Sequence, residues 1–210
     1  EELPSGDESQ SSRMDLIYSL ASYQWAKEDF AKSLKLLNEG LDIASGLADR
    51  ISESQFLAGM GMVNHSKGNT KEAVDLYEQS VGKNPYNSYA WNNLAIAYYD
   101  TGESEKAVQV CKQSIEAKSK NTIAYSILGD LYRQMGRLED AKDCIAVTTK
   151  LEPKVALNWI NLGDVYVIQK RDKEALRAYL KASRLSQDDP EVWKRLGKVY
   201  SNSNRTKEAR

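Results

Sequence analysis

Residues 88–121 read SYAWNNLAIAYYDTGESEKAVQVCKQSIEAKSKN, and this stretch decides the fold. Its first half carries apolar residues at steps of three and four, a spacing that places them on one face of an α-helix. These residues are Trp91, Leu94, Ala95 and Tyr98. Gly102 then supplies the positive φ of a helix end, and a second helical pattern follows it around Ala107. The stretch therefore predicts two helices joined by a short turn.

The same pattern returns every 34 residues on both sides of this stretch. A fixed period of this length is typical of stacked helical repeats. One alanine of the second helix recurs in five repeats: Ala73, Ala107, Ala141, Ala175 and Ala209. Small residues at this position let the paired helices approach closely, so they indicate packing rather than chemistry.

Turn signals separate the predicted helices. Gly68, Gly102 and Gly136 lie between the two helices of three repeats, and Pro85 and Pro153 follow second helices, which proline cannot continue. Degraded versions of the inner turn stand at Lys170-Arg171-Asp172 and Ser203-Asn204-Arg205. Each repeat is therefore predicted to be a helix hairpin, and no strand pattern occurs.

The pattern resembles the tetratricopeptide repeat, whose consensus is W-x2-L-G-x2-Y, then A-x3-F, then P. One repeat matches it in order at Trp159, Leu162, Gly163, Tyr166, Ala175 and Tyr179. The resemblance covers residues 54–210 firmly and residues 14–53 loosely. It implies an all-α fold, an α-solenoid in which helix-turn-helix repeats build a right-handed superhelix.

The expected organisation follows from where the pattern is strong. Residues 1–13 are polar and acidic and predict a disordered tail or linker. Residues 14–53 predict a divergent capping helix pair, in which Asp29 caps the second helix. The predicted tetratricopeptide repeats are 54–87, 88–121, 122–155, 156–189 and a truncated 190–210. Because the sequence lacks an initial Met and stops inside a repeat, we expect a fragment of a longer protein.

Composition restricts the possible partners. The formal net charge is −1, which disfavours nucleic acid as the main partner. The charge is nevertheless uneven, since residues 190–210 hold six basic and two acidic side chains. No apolar run approaches the length of a membrane span, so we expect no membrane insertion. Cys111 and Cys144 are expected to be reduced thiols, which favours a reducing compartment such as the cytoplasm.

Catalytic patterns are scarce. His65 is the only histidine and is expected to be exposed, so a catalytic triad could be built only around it. No glycine-rich phosphate loop follows a strand, and the cysteines lack zinc-ligand spacing. The sequence therefore predicts no enzymatic activity, no cofactor and no metal.

In each repeat, the first helix packs one face against the second helix of the hairpin. The opposite face of these first helices carries the residues that we predict to bind a partner. By resemblance to the family, this face lines the concave groove of the superhelix. Its tyrosines and aliphatic residues exceed what a solvated face needs, and its asparagine amides can donate to and accept from a peptide backbone. The predicted partner-binding residues are Tyr89, Asn92, Asn93, Ile96, Tyr99, Ile123, Asp130, Leu157, Ile160, Asn161, Asp164 and Val167.

These observations predict a non-catalytic protein–protein interaction scaffold that holds a peptide or helix of a partner in its concave groove. One alternative is the substrate-recruiting or regulatory arm of a larger enzyme. Another is a self-associating structural array. A separate alternative for the groove is that another segment of the same protein, or a second copy, fills it. The family's carboxylate clamp for chaperone C-termini is disfavoured, because the basic clamp residues are missing beside Asn93.

Overall fold

The computed structural model describes residues 6–118 and 120–208, which form eleven helices and no strands. The chain divides into two compact units, Glu1–Ser119 and Lys120–Arg210. Unit 1 holds α1 Gly6–Ala26, α2 Phe30–Gly46, α3 Arg50–Ser66, α4 Thr70–Lys83, α5 Ser88–Asp100 and α6 Ser104–Ala117. Unit 2 holds α7 Thr122–Gln134, α8 Leu138–Leu151, α9 Ala156–Ile168, α10 Asp172–Leu185 and α11 Pro190–Glu208.

Within each unit, consecutive helices pack against one another. The hairpins of unit 1 are α1 with α2, α3 with α4, and α5 with α6, while unit 2 pairs α7 with α8 and α9 with α10. Helix α11 packs against α10. The predicted all-α repeat fold is confirmed.

Helix boundaries follow from local chemistry. The side chains of Asn87 and Asn121 accept hydrogen bonds from the backbone at the start of α5 and α7, which satisfies donors that a helix start leaves without partners. Asp29 caps α2 in the same way, as predicted. The inner turns use positive φ at Gly68, Gly102 and Gly136.

Lys170 takes the same left-handed conformation without being a glycine, with a φ of 58°. This backbone region costs a residue with a Cβ roughly 1–2 kcal/mol. Glycine avoids that cost. It also raises the conformational entropy of the unfolded chain, which offsets part of the gain in folding stability. We expect Lys170→Gly to raise the free energy of unfolding by about 0.5–1 kcal/mol, measured by urea denaturation. Gly136→Lys should lower it, and equal effects of both changes would contradict this account.

The hairpin interiors contain the predicted alanines. Ala73, Ala107, Ala141 and Ala175 are fully buried, while Ala209 lies outside the described residues. Ser33 takes this position in the first hairpin, where its buried hydroxyl donates to the Ala21 carbonyl at 2.9 Å.

The predicted disorder of residues 1–13 is wrong from Gly6 onward, because residues 6–13 form the first turns of α1. Arg13 pairs with Glu39 of α2 at 2.8 Å, and Met14 is buried in the core of the first hairpin. These contacts hold α1 against α2 at residues 13 and 14. Residues 1–5 lie outside the described residues.

Two further boundaries differ from the prediction. Helix α3 begins at Arg50, capped by Asp49, rather than at residue 54. The six extra residues before the regular repeats are absorbed as helix, because α2 and α3 have 17 residues each. The break predicted at Ser203-Asn204-Arg205 is wrong, since α11 continues to Glu208.

Candidate partner-binding surfaces

Unit 1 contains a cavity of about 550 Å³ between its three first helices, α1, α3 and α5. Aromatic residues form much of its wall: Tyr18, Phe56 and Tyr89. Tyr18 meets Phe56 edge-on, with the ring centroids 5.8 Å apart. Asp15 and Gln55 add polar groups to the same wall. The cavity can therefore receive an apolar side chain and hydrogen-bond the groups beside it.

Tyr89 joins this cavity to the face of α5. Its side chain is 43% exposed, and its hydroxyl donates to the Met62 sulfur at 2.8 Å. Burial of the hydroxyl, together with the nearby Tyr18, raises the pKa of Tyr89 to about 12. The phenol is therefore neutral at physiological pH and remains a hydrogen-bond donor.

The remaining predicted residues of α5 divide into two groups. Ile96 and Tyr99 are exposed, as a binding surface requires. Asn92 is buried, so its predicted role as an accessible amide is wrong. The Asn93 amide donates to the Tyr89 carbonyl of its own helix at 2.8 Å, which occupies one of its donors.

His65 is partly buried rather than exposed. Its Nε2 lies 2.8 Å from Oδ2 of Asp100, so the pair links α3 to α5. The interaction joins equivalent ends of two consecutive first helices. It assigns the only histidine a structural contact within unit 1.

Unit 2 exposes two apolar residues at equivalent positions of α7 and α9. Ile123 is 60% exposed and Leu157 is 59% exposed. Both lie in the first turn of their helix, on the face predicted to bind a partner. Exposure at the same position of consecutive repeats indicates a surface rather than an isolated residue.

A second cavity, of about 500 Å³, lies in unit 2 among α7, α9, α10 and α11. Asp164 and Val167, both predicted, form part of its wall. The Asp164 carboxylate accepts from the buried Tyr179 hydroxyl at 2.6 Å and from Arg195 of α11. Burial and the hydrogen bond to Asp164 raise the pKa of Tyr179. This network ties α9, α10 and α11 together.

Ile160 does not belong to the exposed surface, and its predicted accessibility is wrong. It is 6% exposed and lies in one apolar cluster with Val192, Leu196 and Val199 of α11. Helix α11, the first helix of the next repeat, therefore covers Ile160, which would be exposed on α9 alone. Ile160 is a core residue.

Two other predicted residues remain at the surface of unit 2. Asp130 pairs with Arg133 one turn later, at 2.9 Å, and both side chains are partly exposed. Asn161 is partly buried on α9. The predicted set therefore divides into α5 residues in unit 1 and α7 and α9 residues in unit 2.

Sequence reasoning missed the contribution of α1 to the first cavity. Ser11, Asp15 and Ser19 lie four residues apart along α1 and line one side of it. That spacing marks one helix face and was available in the sequence. The 34-residue pattern does not extend to α1, so the repeats give no signal for this face.

Other kinds of site have no candidate in the part of the chain that the structure describes. No group of three or more His, Cys, Asp or Glu side chains there could hold a metal ion. None of the described helices is long and apolar enough to cross a membrane. Cys111, which is buried, and Cys144 are both thiols rather than halves of a disulfide.

Solved structures with this fold are tetratricopeptide repeat proteins. The chain is similar to YrrB, with 20% identity, a TM-score of 0.62, and coverage of 85% of this chain and 89% of YrrB. It is similar to PilF of Pseudomonas aeruginosa, with 16% identity, a TM-score of 0.74, and coverage of 93% and 88% respectively. It is also similar to TTC0263 of Thermus thermophilus, with 17% identity, a TM-score of 0.65, and coverage of 89% and 98%.

The helix hairpins and their repeat spacing define a tetratricopeptide repeat protein, the class of fold that serves as a protein–protein interaction scaffold. Within this class, the chain belongs to the family described as the cilia and flagella-associated protein 70 C-terminal domain, whose family model matches residues 14–210. A comparison with curated proteins gives no match.

Proposed function

We propose that this chain holds a peptide or helix of a partner protein against the exposed faces of its first helices. The observation that supports the proposal most strongly is the exposure of apolar side chains on those faces in both units. They are Tyr89, Ile96 and Tyr99 in unit 1, and Ile123 and Leu157 in unit 2. Exposed apolar residues on one face usually mark an interaction site.

The cavities beside these residues support capture of a peptide. In unit 1, the aromatic wall around Tyr89 can enclose an anchoring side chain, and Gln55 can hydrogen-bond the backbone next to it. In unit 2, Asn161 is an amide on the same helix as Leu157. YrrB is described as having an unusual peptide-binding site, which adds support by analogy of fold.

The proposal includes the absence of catalysis by this chain. Tetratricopeptide repeats generally act as scaffolds that do not catalyse reactions themselves. We therefore assign the exposed faces to recognition.

Leu157→Asp tests the proposal directly. Peptides selected from a displayed library of random twelve-residue sequences would be synthesised, labelled, and titrated with the purified chain by fluorescence anisotropy. We expect Leu157→Asp to weaken binding of the selected peptides at least about tenfold, or roughly 1.4 kcal/mol, because a carboxylate replaces an apolar anchor. The melting curve should hardly change, since Leu157 is 59% exposed.

Leu185→Asp provides the matched control. Leu185 is also an exposed leucine of unit 2, but it ends α10, a second helix of its repeat. It should leave affinity unchanged. Because Leu185 is 36% exposed, we expect some loss of stability, and circular dichroism would verify that the variant folds. If the two variants weaken binding equally, or if no peptide is selected above background, the assignment of the first-helix face is wrong.

A further inference from the structure

The walls of the cavity in unit 2 carry an excess of positive charge. Four cationic side chains line it: Arg133, Lys194, Arg195 and Lys198. Two anionic side chains, Asp164 and Glu191, line it as well. Apolar residues, including Val167 and Val199, lie between the charged ones.

Both acidic groups of the cavity already have cationic partners. The Asp164 carboxylate is held by Arg195 and by the Tyr179 hydroxyl. Glu191 lies 3.3 Å from Nε of Arg195 and 3.6 Å from Nζ of Lys194. A basic ligand would have to displace these pairs, so the cavity does not favour one.

Lys198 differs from the other cations. Arg133 pairs with Asp130 outside the cavity wall, and Arg195 and Lys194 pair as above. Within the described part of the chain, no carboxylate forms an ion pair with Lys198. Its ammonium group is exposed at the cavity and can receive an anion without breaking an existing contact.

We propose that the cavity in unit 2 binds an acidic segment of the partner protein, with a carboxylate of that segment paired to Lys198. This inference rests on the proposed function, because it names the chemistry of a segment held on the same helix faces. Charge complementarity selects the occupant: an acidic peptide meets one available cation and two partly shared ones, Lys194 and Arg133.

The spacing along α9 gives the ligand a sequence pattern. Leu157 and Asp164 are seven residues apart, which is about 10 Å along a helix axis at 1.5 Å per residue. Lys198 occupies the position of Asp164 in the next repeat, 34 residues later. An extended peptide covers about 10 Å in three residues. Lys198 lies on α11 rather than on α9, so the sideways distance between packed helices, about 8–10 Å, adds to the distance along the axis. The expected ligand therefore has an apolar residue and a carboxylate about three to four positions apart.

Three labelled peptides test this inference on the full chain. The first has twelve residues, with one leucine and with glutamates three and four positions after it, in a background of serine and alanine. The second replaces both glutamates by glutamine, and the third replaces them by lysine. We expect the glutamate peptide to bind at least tenfold more tightly than the lysine peptide, and to weaken as NaCl rises from about 50 mM to 500 mM.

Lys198→Glu should weaken binding of the glutamate peptide at least tenfold and leave the glutamine peptide nearly unaffected. Lys181→Glu is the matched control, because Lys181 is an exposed lysine of α10 that does not line the cavity. It makes the same charge change in the same unit and should have little effect. Circular dichroism of both variants would establish that they fold.

The outcomes separate the two proposals. If the glutamate and glutamine peptides bind alike and only Leu157→Asp reduces binding, the acidic preference is overturned and the recognition surface stands. If none of the peptides binds while library-selected peptides do, this ligand pattern is wrong. If a labelled single-stranded oligonucleotide competes as well as the glutamate peptide, the partner is a polyanion of another class and the inference falls.

Discussion

Ile160→Asp is expected to lower the free energy of unfolding by roughly 3–5 kcal/mol, because it places an unpaired carboxylate in an apolar core. Ile160 is 6% exposed and packs in one cluster with three residues of α11, so the new charge has no route to water. The α11 helix should detach from α9 and α10 first. Urea denaturation followed by circular dichroism would measure the loss.

Leu157→Asp is the internal control for this result. It introduces the same carboxylate one turn earlier on α9, at a residue that is 59% exposed, and surface changes usually stay within about 0.5 kcal/mol. A large difference in stability between the two variants, with binding lost in the stable one, is the expected pattern. Equal stability would show that α11 does not cover Ile160 as described.

Ile160 also shows that the exposure of a residue cannot be predicted from the spacing within its own helix. Its spacing from Leu157 and Asp164 places all three on one side of α9, and the sequence therefore assigned them one role. In a stacked repeat, however, part of that side faces the next helix of the array. Ile160 meets α11, while Leu157 lies at the helix start beyond it. Periodicity within one helix cannot reveal which residues of its exposed side are covered by the next repeat.

The regular part of the fold was predictable because its determinants are local and repeated. Helices α5, α7, α9 and α11 begin at residues 88, 122, 156 and 190, as the 34-residue pattern predicts. Gly68, Gly102 and Gly136 adopt the positive φ that marks each inner turn. Each of these features depends on a few adjacent residues, so the sequence alone contains the information.

The contacts that shape the candidate site were not predictable in this way. Asp164 meets Arg195, 31 residues later, and His65 meets Asp100, 35 residues later. These separations are close to one repeat, so neighbouring repeats create the contacts. The residue type at one end does not determine which charged residue of the next repeat comes within reach. The contact between Arg13 of α1 and Glu39 of α2 likewise joins residues far apart in the chain.

Gly163→Ala and Gly197→Ala form a pair in which the same change should have opposite effects. A Cβ at Gly163 would lie 2.4 Å from a ring carbon of Tyr179, which is far inside contact distance. The ring cannot move aside easily, because Tyr179 is 2% exposed and its hydroxyl is bonded to Asp164. A Cβ at Gly197, one repeat later, meets no atom within 4 Å.

Both changes replace glycine by alanine inside a helix, which by itself stabilises by about 0.8–1 kcal/mol. Gly197→Ala should show this gain alone. Gly163→Ala must also overcome overpacking of about 1–3 kcal/mol, so we expect it to reduce stability. Because the helix-propensity gain is common to both, the difference between their free energies of unfolding in urea isolates the steric cost. A difference near zero would mean that α9 and α10 can move apart at little cost. The close approach of the two helices at Gly163 would then not stabilise this hairpin.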